Sequence, residues 1–184
     1  MVDLSALLKR MTLKQKIGQL TFLDFKNQAT YEDIREGRVG GFLNVGLDRD
    51  VNELQRIAME ESELKIPLLI GEDVIHGFQT IYPIPIAESC SWNLGLIEKN
   101  CHLAKLEAYN RGVNLIFAPM IDITHDPRWG RIMETCGEDP YLTSQIAKAK
   151  VKGIQKEVDG KTVAACPKHF TGYGAVEAGL DYNT

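Results

Sequence analysis

A lysine and a histidine stand side by side at Lys168 and His169, directly after the apolar, β-prone run at residues 162–166. A run of this kind is typical of a buried parallel strand. A cation and an imidazole where a strand ends can bind a polar ligand, because both can donate hydrogen bonds. A surface lysine followed by a buried structural histidine would produce the same Lys-His sequence, so the pair alone does not establish a function.

Polar clusters also follow two earlier apolar runs. Glu72 and Asp73 come at the end of the run that begins at residue 67, and the charged segment 122–131 follows the run at 113–118. Ligands of parallel β/α folds lie at the carboxyl ends of the strands. A solvated loop explains one such cluster, but three clusters at equivalent positions indicate a single site.

The elements that would position these clusters alternate along the chain. Apolar runs separated by helical patterns are typical of βαβ units with a parallel sheet. The predicted strands lie near residues 39–45, 67–72, 113–118 and 162–166, and the helices between them at 50–64, 94–111 and 139–158.

The first 38 residues are predicted to form an N-terminal helical arm. A capping box at Thr12 and Gln15 begins one of its helices, with Leu13, Ile17 and Leu20 on a single apolar face. We expect that face to pack against a larger body.

The length of 184 residues, 44% of them hydrophobic, predicts one domain over residues 1–184, made of the arm and four β/α units in residues 39–184. A complete doubly wound domain is the alternative, but no Gly-rich phosphate loop joins a strand to a helix. We therefore favour an α/β fold that is the N-terminal half of a (β/α)8 TIM-type barrel.

Composition excludes several classes of protein. The net charge of −4, without a basic stripe, argues against nucleic-acid binding, and no apolar run approaches the roughly 18–20 residues that cross a bilayer. The N-terminus lacks the pattern of a signal peptide, which predicts a cytosolic chain or a trimmed mature one. The four cysteines show no metal or disulfide spacing and are predicted to be free thiols, most of them buried.

Longer motifs resemble one family, glycoside hydrolase family 3. Residues 66–77 resemble its segment that carries a sugar-binding aspartate, and 117–141, with P-R-W-G-R, resemble its most recognisable stretch. Residues 165–170 are similar to its Lys-His element, and 12–20 to its opening helix. The resemblance covers nearly the whole chain, and it is strongest to bacterial β-glucosidases and β-xylosidases.

The resemblance implies hydrolysis of terminal β-linked sugars by a retaining mechanism, without a cofactor. Asp73, Arg131, Lys168 and His169 match the side chains of the family that bind the glycone, the sugar whose anomeric carbon reacts. Their chemistry agrees, because a carboxylate accepts from two vicinal hydroxyls while the other three donate. Trp129 could stack on a sugar face or be a buried structural residue.

Two catalytic carboxyl groups are required for retention. The resemblance places the nucleophile and the acid/base of the family beyond Thr184, so residues 1–184 alone are expected to be inactive. The chain would then need the remainder of its barrel or self-associate, and the full-length protein could be periplasmic or extracellular.

Two positions depart from relatives. In the N-acetylglucosaminidase branch, which reads K-H-F-P-G-H-G, a histidine stands where this chain has Tyr173, and a proline where it has Thr171. That branch is therefore disfavoured. Leu180 replaces the arginine of relatives that read G-R-D-Y-N, so one contact of that arginine is not carried over.

Other functions remain as alternatives. A metal-dependent barrel hydrolase could use His76, His125, His169 and Asp73, although the spacing of zinc motifs is missing. A non-catalytic sugar-binding or assembly fragment is another. Asp122, Glu134 and Glu138 are further candidate carboxylates, and Glu138 lies where it could cap the next helix.

Overall fold

A computed structural model of the chain describes residues 3–24, 30–45, 50–176 and 179–181. These residues form two compact units. The first extends to Glu72 and includes Arg111–Val113, and the second contains Asp73–Asn110 and the chain from Asn114 onward.

The first unit contains three strands that pair in parallel, each with the next along the chain. Short helices precede the first strand and lie between the strands, and the last of these helices continues into a π-helical turn at Ile57–Glu61. The elements are α1 (Leu4–Arg10), α2 (Leu13–Gln19), β1 (Phe22–Asp24), α3 (Tyr31–Arg35), β2 (Gly41–Leu43), α4 (Val51–Arg56) and β3 (Leu69–Glu72).

The predicted capping box is confirmed. The backbone N–H of Gln15 donates to the Thr12 hydroxyl at 3.2 Å, and the Thr12 N–H donates to the Gln15 side chain at 2.9 Å. The described residues contain no body that covers the apolar face of α2, because Leu13, Ile17 and Leu20 are exposed, and their packing against a larger body stays a prediction. The helix turns its Gly18 side inward instead, where a Cβ would stand 2.0 Å from the Gly37 carbonyl oxygen.

The core of the first unit joins the strands to α4. Phe42 of β2 and Ile70 of β3 are buried together with Leu54 and Ile57. Strands β2 and β3 lie within the predicted ranges, whereas β1 falls inside the segment that the sequence indicated as a helical arm. The first unit therefore has one more parallel strand than we predicted for this part of the chain.

The described residues of the second unit contain one parallel strand pair, two short 3-10 turns and three α-helices, of which the two longest pack on each other. Asp139 caps the last helix through the Leu142 N–H, as the Asp-Pro pair predicts. The elements are α5 (Pro85–Ser89), α6 (Leu94–Tyr109), β4 (Leu115–Ile116), α7 (Pro140–Gln155) and β5 (Ala164–Ala165).

Every strand pair described within the two units is parallel, which confirms the predicted α/β class. Strands β4 and β5 lie inside their predicted ranges but are shorter. No helix in the described ranges is long and apolar enough to cross a membrane.

Candidate functional site

The register of β4 and β5 places the Lys-His pair beside the loop that follows β4. Beyond the two strands, Lys168 forms a parallel bridge with Met120, and its carbonyl accepts from the Ile121 N–H at 2.8 Å. Further on, a Cβ at Gly174 would stand 2.3 Å from the Ile123 carbonyl oxygen. Only glycine allows this approach, so the loops after β4 and β5 lie against each other.

Asp73 and Lys168 form an ion pair, although 95 residues separate them. The Lys168 ammonium contacts Oδ1 of Asp73. The Lys168 side chain is 16% exposed, whereas that of Asp73 is 59% exposed. The lysine is therefore mostly buried, and the carboxylate that it contacts is open to solvent. A ligand hydroxyl can therefore approach the carboxylate without the chain unfolding.

Arg131 is held by a carboxylate of its own loop. Its Nε and Nη2 each donate to Glu134 at 2.7 Å, which is the two-pronged geometry that suits guanidinium and carboxylate. This hydrogen bonding lowers the pKa of Glu134 and raises the pKa of Arg131. The charges of Lys168 and His169 also lower the pKa of Glu134, so its carboxylate lies in a positive field.

Tyr173 connects Arg131 to His169. Nη1 of Arg131 donates to the tyrosine hydroxyl at 3.3 Å, and the guanidinium lies 5.4 Å from the ring centroid. The Tyr173 ring meets the imidazole of His169 edge-on, with centroids 4.6 Å apart. The sequence indicated Tyr173 only as a departure from one branch, and its role as a connector was missed.

His169 is held from its other side by Asp122, whose Oδ2 accepts from the His169 backbone N–H and lies within hydrogen-bond distance of the ring Nδ1. The structure thus brings all four predicted residues into one run of contacts. Asp73 pairs with Lys168, His169 follows Lys168 in the chain, and Tyr173 bridges His169 to Arg131. The arrangement combines an accessible carboxylate with several cationic donors, which suits a polyhydroxylated ligand.

Trp129 is fully buried, which decides between its two predicted roles. Its Nε1 donates to Asp181 at 3.1 Å, and its ring packs edge-on against Tyr173. A sugar cannot stack on it in this structure. Leu180 is half exposed next to this contact, and Tyr182 and Asn183 of the same motif lie outside the described residues.

The histidines proposed for a metal have separate partners. His76 contacts the Tyr82 carbonyl at 3.1 Å, His125 lies 3.7 Å from Glu138, and His169 bonds to Asp122. In the described part of the chain, no group of three or more His, Cys, Asp or Glu side chains is arranged to hold a metal ion. Nothing in the described residues favours the metal-dependent alternative.

Residues 12–184 match the family described as "Glycosyl hydrolase family 3 N terminal domain". The chain is 41% identical over 184 residues to a periplasmic β-glucosidase of Salmonella typhimurium, covering 97% of this chain and 24% of that protein. It is 28% identical over 205 residues to a putative β-xylosidase of Formosa agariphila, covering 96% and 27%.

A crystal structure of a β-glucosidase from Listeria innocua in complex with isofagomine superposes on the chain with a TM-score of 0.87 at 35% identity. The match covers 99% of this chain and 28% of that one. The chain therefore belongs to glycosyl hydrolase family 3, and the predicted fold class, the N-terminal half of a (β/α)8 barrel, is confirmed. It spans about a quarter of the length of these relatives.

Proposed function

We propose that residues 1–184 supply half of the glycone-binding pocket of an enzyme that hydrolyses terminal β-linked glucosides or xylosides with retention. Asp73, Arg131, Lys168 and His169 bind the sugar hydroxyls. The observation that carries the proposal is the contact of Asp73 with Lys168 beside the group formed by His169, Tyr173 and Arg131. The relatives, a β-glucosidase and a putative β-xylosidase, support the same substrate class.

The two catalytic carboxyl groups are proposed to lie outside residues 1–184. Retention needs a nucleophile and an acid/base about 5–5.5 Å apart. The carboxylates of the described site have other partners, since Asp73 pairs with Lys168, Glu134 with Arg131 and Asp122 with His169. We propose that each binds or orients, and none of the three forms a pair with another carboxyl group.

The test of the site is Asp73→Asn in the complete enzyme, with isofagomine as ligand and an aryl β-glucoside as substrate. Loss of a charged acceptor should weaken binding and lower kcat/KM by roughly 10- to 100-fold. The melting temperature should hardly change, because the Asp73 side chain is more than half exposed. The matched control is Asp50→Asn at the N-cap of α4, where Asn caps as well as Asp. Unchanged kinetics for Asp73→Asn would remove this residue from the site.

Residues 1–184 alone should not hydrolyse aryl β-glucosides or β-xylosides, whereas co-expression with the rest of the barrel should restore turnover. The exposed Leu13, Ile17, Leu20 and Phe170 are proposed to be covered by that remainder, or by self-association of the isolated chain. Robust turnover by purified residues 1–184 would contradict the proposal and make Asp122 and Glu134 the first candidate catalysts. Sugar binding without turnover, even after co-expression, would favour the non-catalytic alternative.

We also propose that the complete enzyme acts in the periplasm or outside the cell. The name of the Salmonella relative supports this location, and fractionation of cells that produce the enzyme would test it.

A further inference from the structure

Among the residues that the structure describes, the carboxylate of Asp122 forms its hydrogen bonds with His169. One of its oxygens, Oδ2, accepts the backbone N–H of His169 at 3.0 Å and contacts Nδ1 of the imidazole at 2.7 Å. The Asp122 side chain is only 2% exposed, whereas that of His169 is 30% exposed. A buried acceptor thus holds a residue that reaches the surface.

The chemistry of this contact assigns the proton on the imidazole. An ionised carboxylate has no hydrogen to donate, so Nδ1 must carry the hydrogen that Asp122 accepts. Nε2 is then the nitrogen left for a ligand, as an acceptor in the neutral ring or as a donor in the charged ring. The edge-on contact with Tyr173, at 4.6 Å and 79°, restricts rotation of the same ring.

We propose that Asp122 is a positioning residue of the sugar site, which fixes the orientation and the tautomer of His169 so that Nε2 faces the ligand. This inference rests on the proposed function, because it assumes that His169 binds the sugar. Burial of Asp122 speaks against direct attack on an anomeric carbon, since its carboxylate would first have to leave His169. Asp122 therefore affects ligand binding only by orienting the imidazole of His169.

The experiment is a double-mutant cycle on isofagomine affinity in the complete enzyme, measured by titration calorimetry. Asp122→Ala should weaken binding about tenfold, because the imidazole loses its charged hydrogen-bond partner. Asp122→Asn should restore much of that loss, since an amide oxygen in the Oδ2 position can still accept both hydrogen bonds. In the His169→Ala background, Asp122→Ala should have almost no further effect.

Two outcomes would overturn this inference but leave the proposed function standing. In the first, Asp122→Ala binds isofagomine like the wild type while His169→Ala binds it weakly. In the second, the effects of the two substitutions on affinity are additive. His169→Ala with unchanged affinity would instead remove His169 from the site and refute the assignment under the proposed function. Additivity is the behaviour expected if Asp122 only stabilises the fold.

A control separates lost stability from lost positioning. Lys105 is buried and donates to the carbonyls of Lys156 and Lys161, before β5, whereas His169 follows that strand. Lys105→Met should lower stability and leave the affinity unchanged.

If Asp122→Ala does not fold, long-range 1H–15N spectra of the wild type and of Asp122→Asn test the tautomer directly. The His169 signals, assigned with His169→Gln, should show a protonated Nδ1 in both proteins. A neutral ring protonated only at Nε2 in the wild type would refute the inference.

Discussion

Two lysines of the second unit form ion pairs in opposite surroundings. Lys150 of α7 contacts Glu88 of α5 at 2.7 Å, and their side chains are only 3% and 4% exposed. Lys168 contacts Asp73 beyond β5, where the carboxylate is 59% exposed. Both are ion pairs between a lysine and a carboxylate, but water reaches only the pair formed by Lys168 and Asp73.

This difference separates a structural ion pair from the ion pair that we propose to bind the sugar. A sugar hydroxyl cannot reach Glu88 or Lys150, and both charges have lost their hydration, so each depends on the other. The carboxylate of Asp73 keeps its hydration and can exchange a water or part of its ion pair for a ligand hydroxyl at little cost. Because an ion pair alone does not distinguish the two lysines, the difference in burial supports the proposal that Lys168, and not Lys150, binds a ligand.

The largest effect is expected from breaking the buried pair. Lys150→Met would leave the Glu88 carboxylate buried without its cation, which should lower the free energy of unfolding by about 3–5 kcal/mol. Isofagomine affinity of the folded protein should not change, because neither residue belongs to the site. Urea denaturation and calorimetry measure the two quantities.

The control for this prediction is the double substitution Glu88→Leu with Lys150→Met. Replacing both charges by apolar groups of similar size should recover most of the lost stability, because no unpaired charge remains. A Lys150→Met protein as stable as the wild type, or one with weakened ligand binding, would remove the distinction between the two pairs.

Local signals in the sequence were sufficient for the starts of α2 and α7. Asp139 and Thr12 cap helices through contacts to residues three positions away, so the determinants lie within one turn. Strand β1 was missed because Phe22–Asp24 is short and half-buried, and it pairs with β2 across an intervening helix. The inward face of α2 was also missed, since it depends on the approach of Gly18 to Gly37.

The sequence predicted where the candidate site residues lie in the fold, but only some of the contacts between them. Asp73 and Lys168 were indicated because both follow apolar strands, and a shared sheet edge brings such residues together. The contacts of Asp122 with His169 and of Tyr173 with Arg131 span 47 and 42 residues. They depend on the register beyond β4 and β5, which no local pattern encodes. One signal was available, since Asp122 follows β4 closely, as Lys168 follows β5.

The ion pair of Arg131 and Glu134 is intermediate in burial between the two lysine pairs, because its side chains are 20% and 22% exposed. The pH dependence of stability can test how much this pair contributes. The hydrogen bond from Arg131 holds the pKa of Glu134 below its ordinary 4.5 in the folded protein. Between the two pKa values the unfolded chain binds more protons, so the free energy of unfolding rises with pH there. This contribution is complete above the unfolded pKa and is lost as pH falls through the folded one.

Glu134→Gln should therefore destabilise the protein by about 0.5–1 kcal/mol at pH 6, a range that allows for solvent screening, and by almost nothing near pH 3. Urea denaturation at the two pH values measures the difference, with Glu157→Gln at an exposed position as the control. The effect should be smaller than that of Lys150→Met, because water still reaches the pair. An equal loss of stability at both pH values would show that the charge of Glu134 contributes nothing, and that the pair only fixes the shape of its loop.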